Sequence, residues 1–230
     1  SGAREDCIKS AEMAATKDLK RAEMIARGSC LAKVLYELGD YEGSSAALHR
    51  AIELCHEQGT GRFLPMYYSY LALNCAELDR GADFERYRNE TLAALNTTSS
   101  IFAGAASLAT LATGAAILGK PNEARLYLQQ SDPLAMSHVP IHNLMWHGRF
   151  GIEASLRLED WDEAVRYARQ LEKLGGENPI PWAVLFARRG VALAARGRDP
   201  DDKDAAKLVL EIEAELQHLG NVTSPHRQFE

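Results

Sequence analysis

Apolar residues recur along the chain at intervals of three and four positions, in long stretches that short polar segments separate. Between residues 18 and 38 the apolar positions are Leu19, Met24, Ile25, Leu31, Val34 and Leu35. Val34 and Leu35 follow Leu31 by three and four positions, the spacing that places side chains on one face of an α-helix. No segment alternates apolar and polar residues over the length of a strand. The pattern therefore predicts an all-α fold of about 11 helices.

Capping residues indicate where several of these helices begin and end. Asp40 follows Gly39 and is predicted to cap a helix that carries Leu48 and Cys55. Gly59 is predicted to end that helix. The other helices are predicted at residues 3–15, 18–38, 63–78, 84–95, 99–118, 121–130, 140–158, 161–174, 181–196 and 202–219.

A turn followed by an amphipathic helix repeats at a nearly fixed interval. The turn residues are Gly39, Asp79, Gly119, Glu159 and Gly197, so the steps are 40, 40, 40 and 38 residues. A period of this size is typical of stacked helix pairs, each of which buries its apolar face only against its neighbours. We therefore expect one α-solenoid of antiparallel helix pairs over residues 1–219, followed by a C-terminal tail at 220–230. The helix at 3–15 has no partner before it, which indicates an array cut from a larger protein.

The repeat resembles the tetratricopeptide repeat (TPR), which places small and large residues at set distances after the turn. Two repeats match that pattern, at Ser44, Leu48, Ala51, Ala124, Leu128 and Ser131. The fourth repeat departs from it, with Ala168 at the large position and Leu171 at a small one. The period of 40 residues also exceeds the 34 of the family. Longer repeats of this kind are similar to the sensor arms of large bacterial signalling ATPases.

The C-terminal third carries a narrower resemblance. Residues 177–183 (ENPIPWA) and 187–198 (ARRGVALAARGR) look like the end of bacterial multidomain nucleotidyl cyclases. Those proteins join a cyclase domain and an ATPase module to a helical-repeat tail. The resemblance implies a regulatory tail, since the chain itself contains no cyclase or ATPase catalytic motif.

Composition and charge narrow the class of protein further. The chain of 230 residues is 46% hydrophobic and 25% charged, with a net charge of −6, as in folded water-soluble proteins. Residues 199–215 hold seven acids and two lysines. The sequence contains no basic cluster that would indicate binding to nucleic acid. The four cysteines lie far apart without a CxxC pair, which favours reduced thiols in a cytoplasmic protein. The start at Ser1-Gly2 predicts neither a signal peptide nor a native N-terminus.

Residues 114–120 imitate a phosphate-binding loop. Gly114, Gly119 and Lys120 have the spacing of the GxxxxGK motif, but Pro121 stands where a Ser or Thr would hold magnesium. The glycines also fall on a predicted helix and its C-terminal cap, so we interpret this stretch as an ordinary helix end.

Residues 101–119 are uncharged over a length that could span a membrane. They are mostly Ala, Gly, Ser and Thr, and they occupy the first-helix position of the third repeat. Small residues let neighbouring helices approach closely. We therefore predict a buried, closely packed helix and no membrane contact.

Three histidines, His138, His142 and His147, fall within ten residues. Two zinc ligands on one helix face need a spacing of three or four, whereas His142 and His147 are five apart. Pro140 is expected to leave His138 before the helix. We interpret the three as surface or packing residues and predict no metal and no cofactor.

The resemblance to TPR proteins implies a concave groove lined by the first helix of each pair. Counting back from each turn residue gives the partner-binding candidates Lys33, Tyr36, Glu37, Met66, Ser69, Trp146, Arg149 and Glu153. Aromatic and Arg residues are common interface anchors, so Lys33, Tyr36, Trp146, Arg149 and Glu153 are expected to be partly exposed. The alternative is that Tyr36 and Trp146 pack between repeats.

These patterns favour a non-catalytic protein-interaction or regulatory module of a larger bacterial signalling protein. Its partner would be a protein or peptide, including other domains of the same parent protein. The alternative is the sensor domain of a large ATP-dependent transcription activator that binds a small-molecule inducer. Trp146, Tyr36, Tyr67, Tyr68 and Tyr70 would then supply stacking surfaces. No nucleophile, carboxylate pair or metal set predicts an enzyme.

Overall fold

A computed structural model describes residues 2–97, 100–137 and 139–219, and over these ranges the chain is helical without strands. The predicted all-α class is therefore confirmed. The predicted tail at 220–230 and His138 lie outside the described residues. The α-helical segments are α1 (Gly2–Thr16), α2 (Lys20–Ile25), α3 (Ala32–Glu37), α4 (Tyr41–Glu57), α5 (Leu64–Glu77), α6 (Gly81–Thr97), α7 (Ser100–Ile117), α8 (Pro121–Ala135), α9 (Ile141–Arg157), α10 (Trp161–Glu172), α11 (Pro181–Arg198) and α12 (Lys203–His218).

A wide π-helical stretch, Ala26–Leu31, joins α2 to α3 without a break. Counting the joined segments once gives eleven helices in the described part of the chain, as the pattern predicts. Gly28 lies within the π stretch, directly against the ring of Tyr67 on α5. A β-carbon at Gly28 would collide with that ring, so glycine permits the close approach of the two helices.

Four of the five predicted turns share one hydrogen-bonding pattern. Gly39, Asp79, Gly119 and Glu159 all have positive φ angles, between 56° and 74°. Each donates its N–H to the carbonyl three residues back, and the next residue donates to the carbonyl five back, at distances of 2.8–3.1 Å. These bonds satisfy the carbonyls that a helix end leaves without partners. The 40-residue period of the sequence is thus a period of helix termination.

The fifth predicted turn, at Gly197, is wrong. Helix α11 continues through Gly197 to Arg198. The bare Cα of Gly197 lies against the ring of Trp161, where a β-carbon would be 2.5 Å from a ring atom. Glycine is therefore needed here for helix packing rather than for a turn.

Helix α8 extends beyond its predicted end at Gln130 to Ala135, with Pro133 inside it. A proline has no N–H and removes one helical hydrogen bond. The turn is held by the neighbouring Asp132, whose carboxylate accepts hydrogen bonds from Arg166 and Tyr167 of α10, both at 2.8 Å. Tertiary contacts thus extend a helix that the local sequence would end.

The chain divides into two compact units, one ending at Ser100 and the other covering Ile101–Leu219. In the first unit, Tyr67, Tyr70 and Phe84 are among the fully buried side chains; in the second, Phe150, Tyr167 and Phe186 are. In the first unit α5 packs against α4 and α6, and in the second each helix from α8 to α12 packs against the next. A single repeat domain over 1–219 stays a prediction.

Helix α7 is buried and closely packed, which confirms the prediction for this uncharged stretch. Ala105 and Ala112 are 1% and 0% exposed. The hydroxyl of Thr113 donates to the carbonyl of Phe150 on α9 at 2.9 Å. The phosphate-loop imitation is a helix end, as interpreted, because α7 stops at Ile117 and Gly119 forms the turn. None of the described helices combines the length and apolar character that crossing a bilayer requires.

Candidate partner-binding site

The candidates predicted in the first unit lie in its interior. All five, Lys33, Tyr36, Glu37, Met66 and Ser69, are buried, with exposed fractions of 8% or less. The expected partial exposure of Lys33 and Tyr36 is therefore wrong. Almost every residue of α5 is buried, on all sides of the helix, so this helix does not present an open face.

Buried contacts account for the polar groups among these residues. The ammonium of Lys33 lies 5.5 Å from the centre of the Tyr70 ring, and burial lowers the pKa of Lys33 to about 7. The hydroxyl of Tyr36 donates to Glu77 at 3.0 Å, and its ring packs edge-on against Tyr70. These side chains serve packing, which is the alternative that the sequence left open for Tyr36.

In the second unit, Arg149 and Glu153 are also buried, at 5% and 7% exposure, so their expected exposure is wrong too. The carboxylate of Glu153 accepts hydrogen bonds from Arg149 on the same helix and from Arg189 of α11, the latter at 2.6 Å. Arg189 donates in addition to Glu213 of α12 at 2.7 Å. Because buried charges need partners, these four residues form an internal ion network that joins three helices.

Trp146 is the predicted candidate that keeps partial exposure. Its ring lies 5.1 Å from that of Trp182 and 5.9 Å from that of Phe150. The indole N–H donates to His142 at 3.2 Å. Most of this side chain's contacts are therefore packing contacts within the second unit, as the alternative for Trp146 proposed.

An open cleft that the sequence did not predict lies between α8, α9 and α10, with a volume of about 720 Å³. We call it the α8–α10 cleft. Its lining residues are Gln129, Asp132, Pro133, Ala135, Met136, Leu144, His147, Gly148, Arg166, Gln170, Leu171, Lys173 and Leu174. Met136 at its rim is 86% exposed. One wall is the extension of α8 past Gln130, and because the sequence pattern ends the helix there, it does not predict the cleft.

Asp132 organises the polar side of the α8–α10 cleft. It accepts hydrogen bonds from Tyr167 and Arg166, both at 2.8 Å, and His147 lies 3.4 Å away. Burial opposes ionisation of Asp132, but the hydrogen bonds from His147 and Tyr167 and the charge of Arg166 outweigh it and lower its pKa. Asp132 is therefore a carboxylate at neutral pH whose charge is offset within the protein.

Ser131, Asp132 and His147 resemble a hydrolytic triad in composition but not in geometry. The hydroxyl of Ser131 and the carboxylate of Asp132 both contact Nε2 of His147, at 3.2 and 3.4 Å. A triad needs them on opposite ring nitrogens, so that one accepts the serine proton while the other is held by the carboxylate. Ser131 is also fully buried and donates to the Leu128 carbonyl at 2.9 Å. The cluster orients a packed histidine.

A second cleft, of about 500 Å³, adjoins the α8–α10 cleft along α10. Its lining residues are Asp162, Val165, Arg166, Arg169, Gln170, Lys173 and Arg198. Arg166, Gln170 and Lys173 line both clefts. We call Arg166, Arg169 and Lys173 the cationic ridge. In the described part of the chain, Arg169 and Lys173 are exposed and have no ion-pair partner.

Two of the three clustered histidines, His142 and His147, lie in the described part of the chain. His142 is exposed and accepts the indole N–H of Trp146, so it is a surface residue. His147 is buried beside Ser131 and Asp132, so it is a packing residue. Over residues 2–97, 100–137 and 139–219, no group of three or more His, Cys, Asp or Glu side chains could hold a metal ion. In the sequence, the cationic ridge is visible only as Arg166, Arg169 and Lys173 at helical spacing in the predicted helix 161–174.

Comparisons of the chain with protein-family models, with curated proteins and with solved structures find no match.

Proposed function

We propose that this chain is a non-catalytic interaction module of a larger, cytoplasmic bacterial signalling protein, and that it binds a partner segment in the α8–α10 cleft. The class of function is the one that the repeat and the family resemblance favour. The contact surface differs from the expected groove, because seven of the eight groove candidates are buried. No role in binding is assigned to those seven.

The open α8–α10 cleft is the observation that supports the proposal. Apolar side chains such as Leu144 and Leu174 line it, and the rim carries Met136 with 86% of its surface exposed. Methionine is flexible and polarisable, and it is common at surfaces that bind peptides. Exposed apolar concavities with a few polar groups are typical binding sites.

Selection of displayed random peptides, about 12 residues long, on the purified chain tests the proposal. Enriched peptides should lose binding to Met136→Glu, which places a charge at the apolar rim. The matched control is Leu126→Glu on α8, the helix that Met136 caps, because Leu126 is 48% exposed and does not line the cleft. Peptides that bind both variants as well as the parent would refute the proposed site, as would the absence of any enriched peptide.

A small-molecule effector is the second candidate, favoured by the size of the same cleft. Its volume of about 720 Å³ lies within the range of ligand pockets, roughly 300–1,000 Å³. The aromatic residues that the sequence offers for stacking do not favour this candidate, because Tyr36, Tyr67 and Tyr70 are buried. Binding of a small effector that Met136→Glu abolishes, without any peptide binding, would support the sensor.

A further inference from the structure

We propose, on the basis of the proposed function, that the segment bound in the α8–α10 cleft is acidic and carries an apolar anchor. The anchor would enter the cleft, and the carboxylates would lie along the cationic ridge of Arg166, Arg169 and Lys173. The inference rests on two clefts of different character that share one helical ridge.

The charge around the ridge is the reverse of that of the whole chain. The second cleft is lined by four cations, Arg166, Arg169, Lys173 and Arg198, and by one acid, Asp162, whereas the net charge of the chain is −6. A local excess of one sign on a protein of the other sign attracts and orients a partner of opposite charge.

Nearby carboxylates offset part of this excess, but they pair with Arg166 and Arg198. Asp132 and Glu163 both accept hydrogen bonds from Arg166, and Asp162 accepts one from Arg198. These pairs leave the charges of Arg169 and Lys173 without an ion-pair partner in the described ranges. A ligand carboxylate would meet two exposed cations four residues apart, Arg169 on α10 and Lys173 at its C-terminal cap.

The arrangement favours a chain segment over a small anion. Arg166 and Lys173 are separated by two helical turns, about 10 Å along the axis. The cations are thus spread along the ridge rather than directed at one point, as a phosphate would require. The adjoining apolar cleft of about 720 Å³ needs an apolar group on the same ligand. An acidic peptide with a large apolar side chain supplies both.

The test uses the whole chain and the same display selection. The enriched peptides should combine Asp or Glu with a large apolar residue. Their affinity for the Arg169→Glu/Lys173→Glu variant should fall about tenfold or more, because two attractions become repulsions. Affinity for the parent should also fall as salt rises from about 0.05 to 0.5 M.

The matched control is Lys203→Glu/Lys207→Glu. These two exposed lysines have the same spacing on α12 of the same unit, and the variant has the same change in net charge. It should bind the peptides within about twofold of the parent, since α12 does not line either cleft. Equal losses in the two double variants would refute a local role of the ridge.

The remaining outcomes separate this inference from the proposed function. Enriched peptides without acids that still require Met136 would refute the acidic segment and leave the cleft as a binding site. Acidic peptides that ignore Met136→Glu would refute the cleft and with it the combined ligand. Inorganic pyrophosphate that binds the parent, loses binding to the ridge variant and displaces no peptide would show a separate small-anion site and refute the inference.

Discussion

The buried ion network of the second unit offers a quantitative test of how this fold is stabilised. Glu153→Gln keeps the size and shape of the side chain but removes its negative charge. Glu153 accepts from Arg149 and Arg189, and the three side chains are 9%, 6% and 3% exposed. After the substitution Arg149 loses the carboxylate of Glu153, while Arg189 keeps that of Glu213, whose side chain is 24% exposed.

The expected loss of stability follows from burial. Removing one partner of a buried ion pair costs about 3–5 kcal/mol, because the other charge stays buried without full compensation. The lower end applies here, since Gln keeps an acceptor oxygen and Glu213 still contacts Arg189 at 2.7 Å. We expect a loss of about 3 kcal/mol. With a urea m-value of about 2 kcal/mol/M, the unfolding midpoint should fall by about 1.5 M.

Tryptophan fluorescence is the appropriate assay, because all three tryptophans, Trp146, Trp161 and Trp182, belong to the second unit. Urea unfolding followed by this signal therefore reports the unit that contains the network. Far-UV circular dichroism recorded on the same samples follows helices of both units. A fluorescence midpoint that falls while part of the helical signal keeps its midpoint would locate the loss in the second unit.

The matched control is Glu215→Gln on α12. Glu215 pairs with Arg188 of α11 at 3.7 Å, and both side chains are about half exposed. This pair links α11 to α12, as Arg189 and Glu213 do, but at the solvent-exposed surface. Exposed ion pairs contribute about 0–1 kcal/mol, and the midpoint should move by less than about 0.5 M. Equal midpoints for Glu153→Gln and Glu215→Gln would refute the reasoning from burial.

Three further predictions concern other buried sites. Ala112→Leu should overpack α7 and cost about 1–3 kcal/mol in urea unfolding; a variant as stable as the parent would contradict close packing. Lys33→Met removes an ammonium whose pKa burial lowers to about 7 from 10.5, so the folded state binds fewer protons between those values and its stability rises with pH. The variant should gain more than about 1 kcal/mol at about pH 6, and the gain should shrink by about pH 9.5; equal gains at both would refute this. Iodoacetamide at about pH 8 should alkylate exposed Cys30 well before Cys55 and Cys75, whose pKa values burial raises to about 11; equal rates by mass spectrometry would contradict their burial.

Local sequence was sufficient for the helices and for most of their ends. Asp40 caps α4 as predicted, with its side chain accepting the N–H of Gly43 at 2.9 Å. The turns at Gly39 and Gly119 adopt the positive φ that glycine favours. Such features depend on hydrogen bonds between residues a few positions apart, so a short stretch of chain contains the information.

Where packing competes with local preference, tertiary structure decided the outcome. Gly197 stays helical because its missing side chain makes room for Trp161. Helix α8 passes through Pro133 because Asp132 is held by Arg166 and Tyr167. In both cases the deciding contact comes from more than 30 residues away in the chain, beyond any helical spacing.

The candidate site divides in the same way. The family resemblance implied that Lys33, Arg149 and Glu153 lie on an open groove face, whereas all three are buried. Whether a charged residue on such a face is exposed depends on whether a distant chain segment supplies its counter-charge, as Arg189 does for Glu153. The α8–α10 cleft likewise exists only where three helices leave a gap between them. Periodicity determined which residues share a face, and tertiary contacts alone determined which faces stayed open.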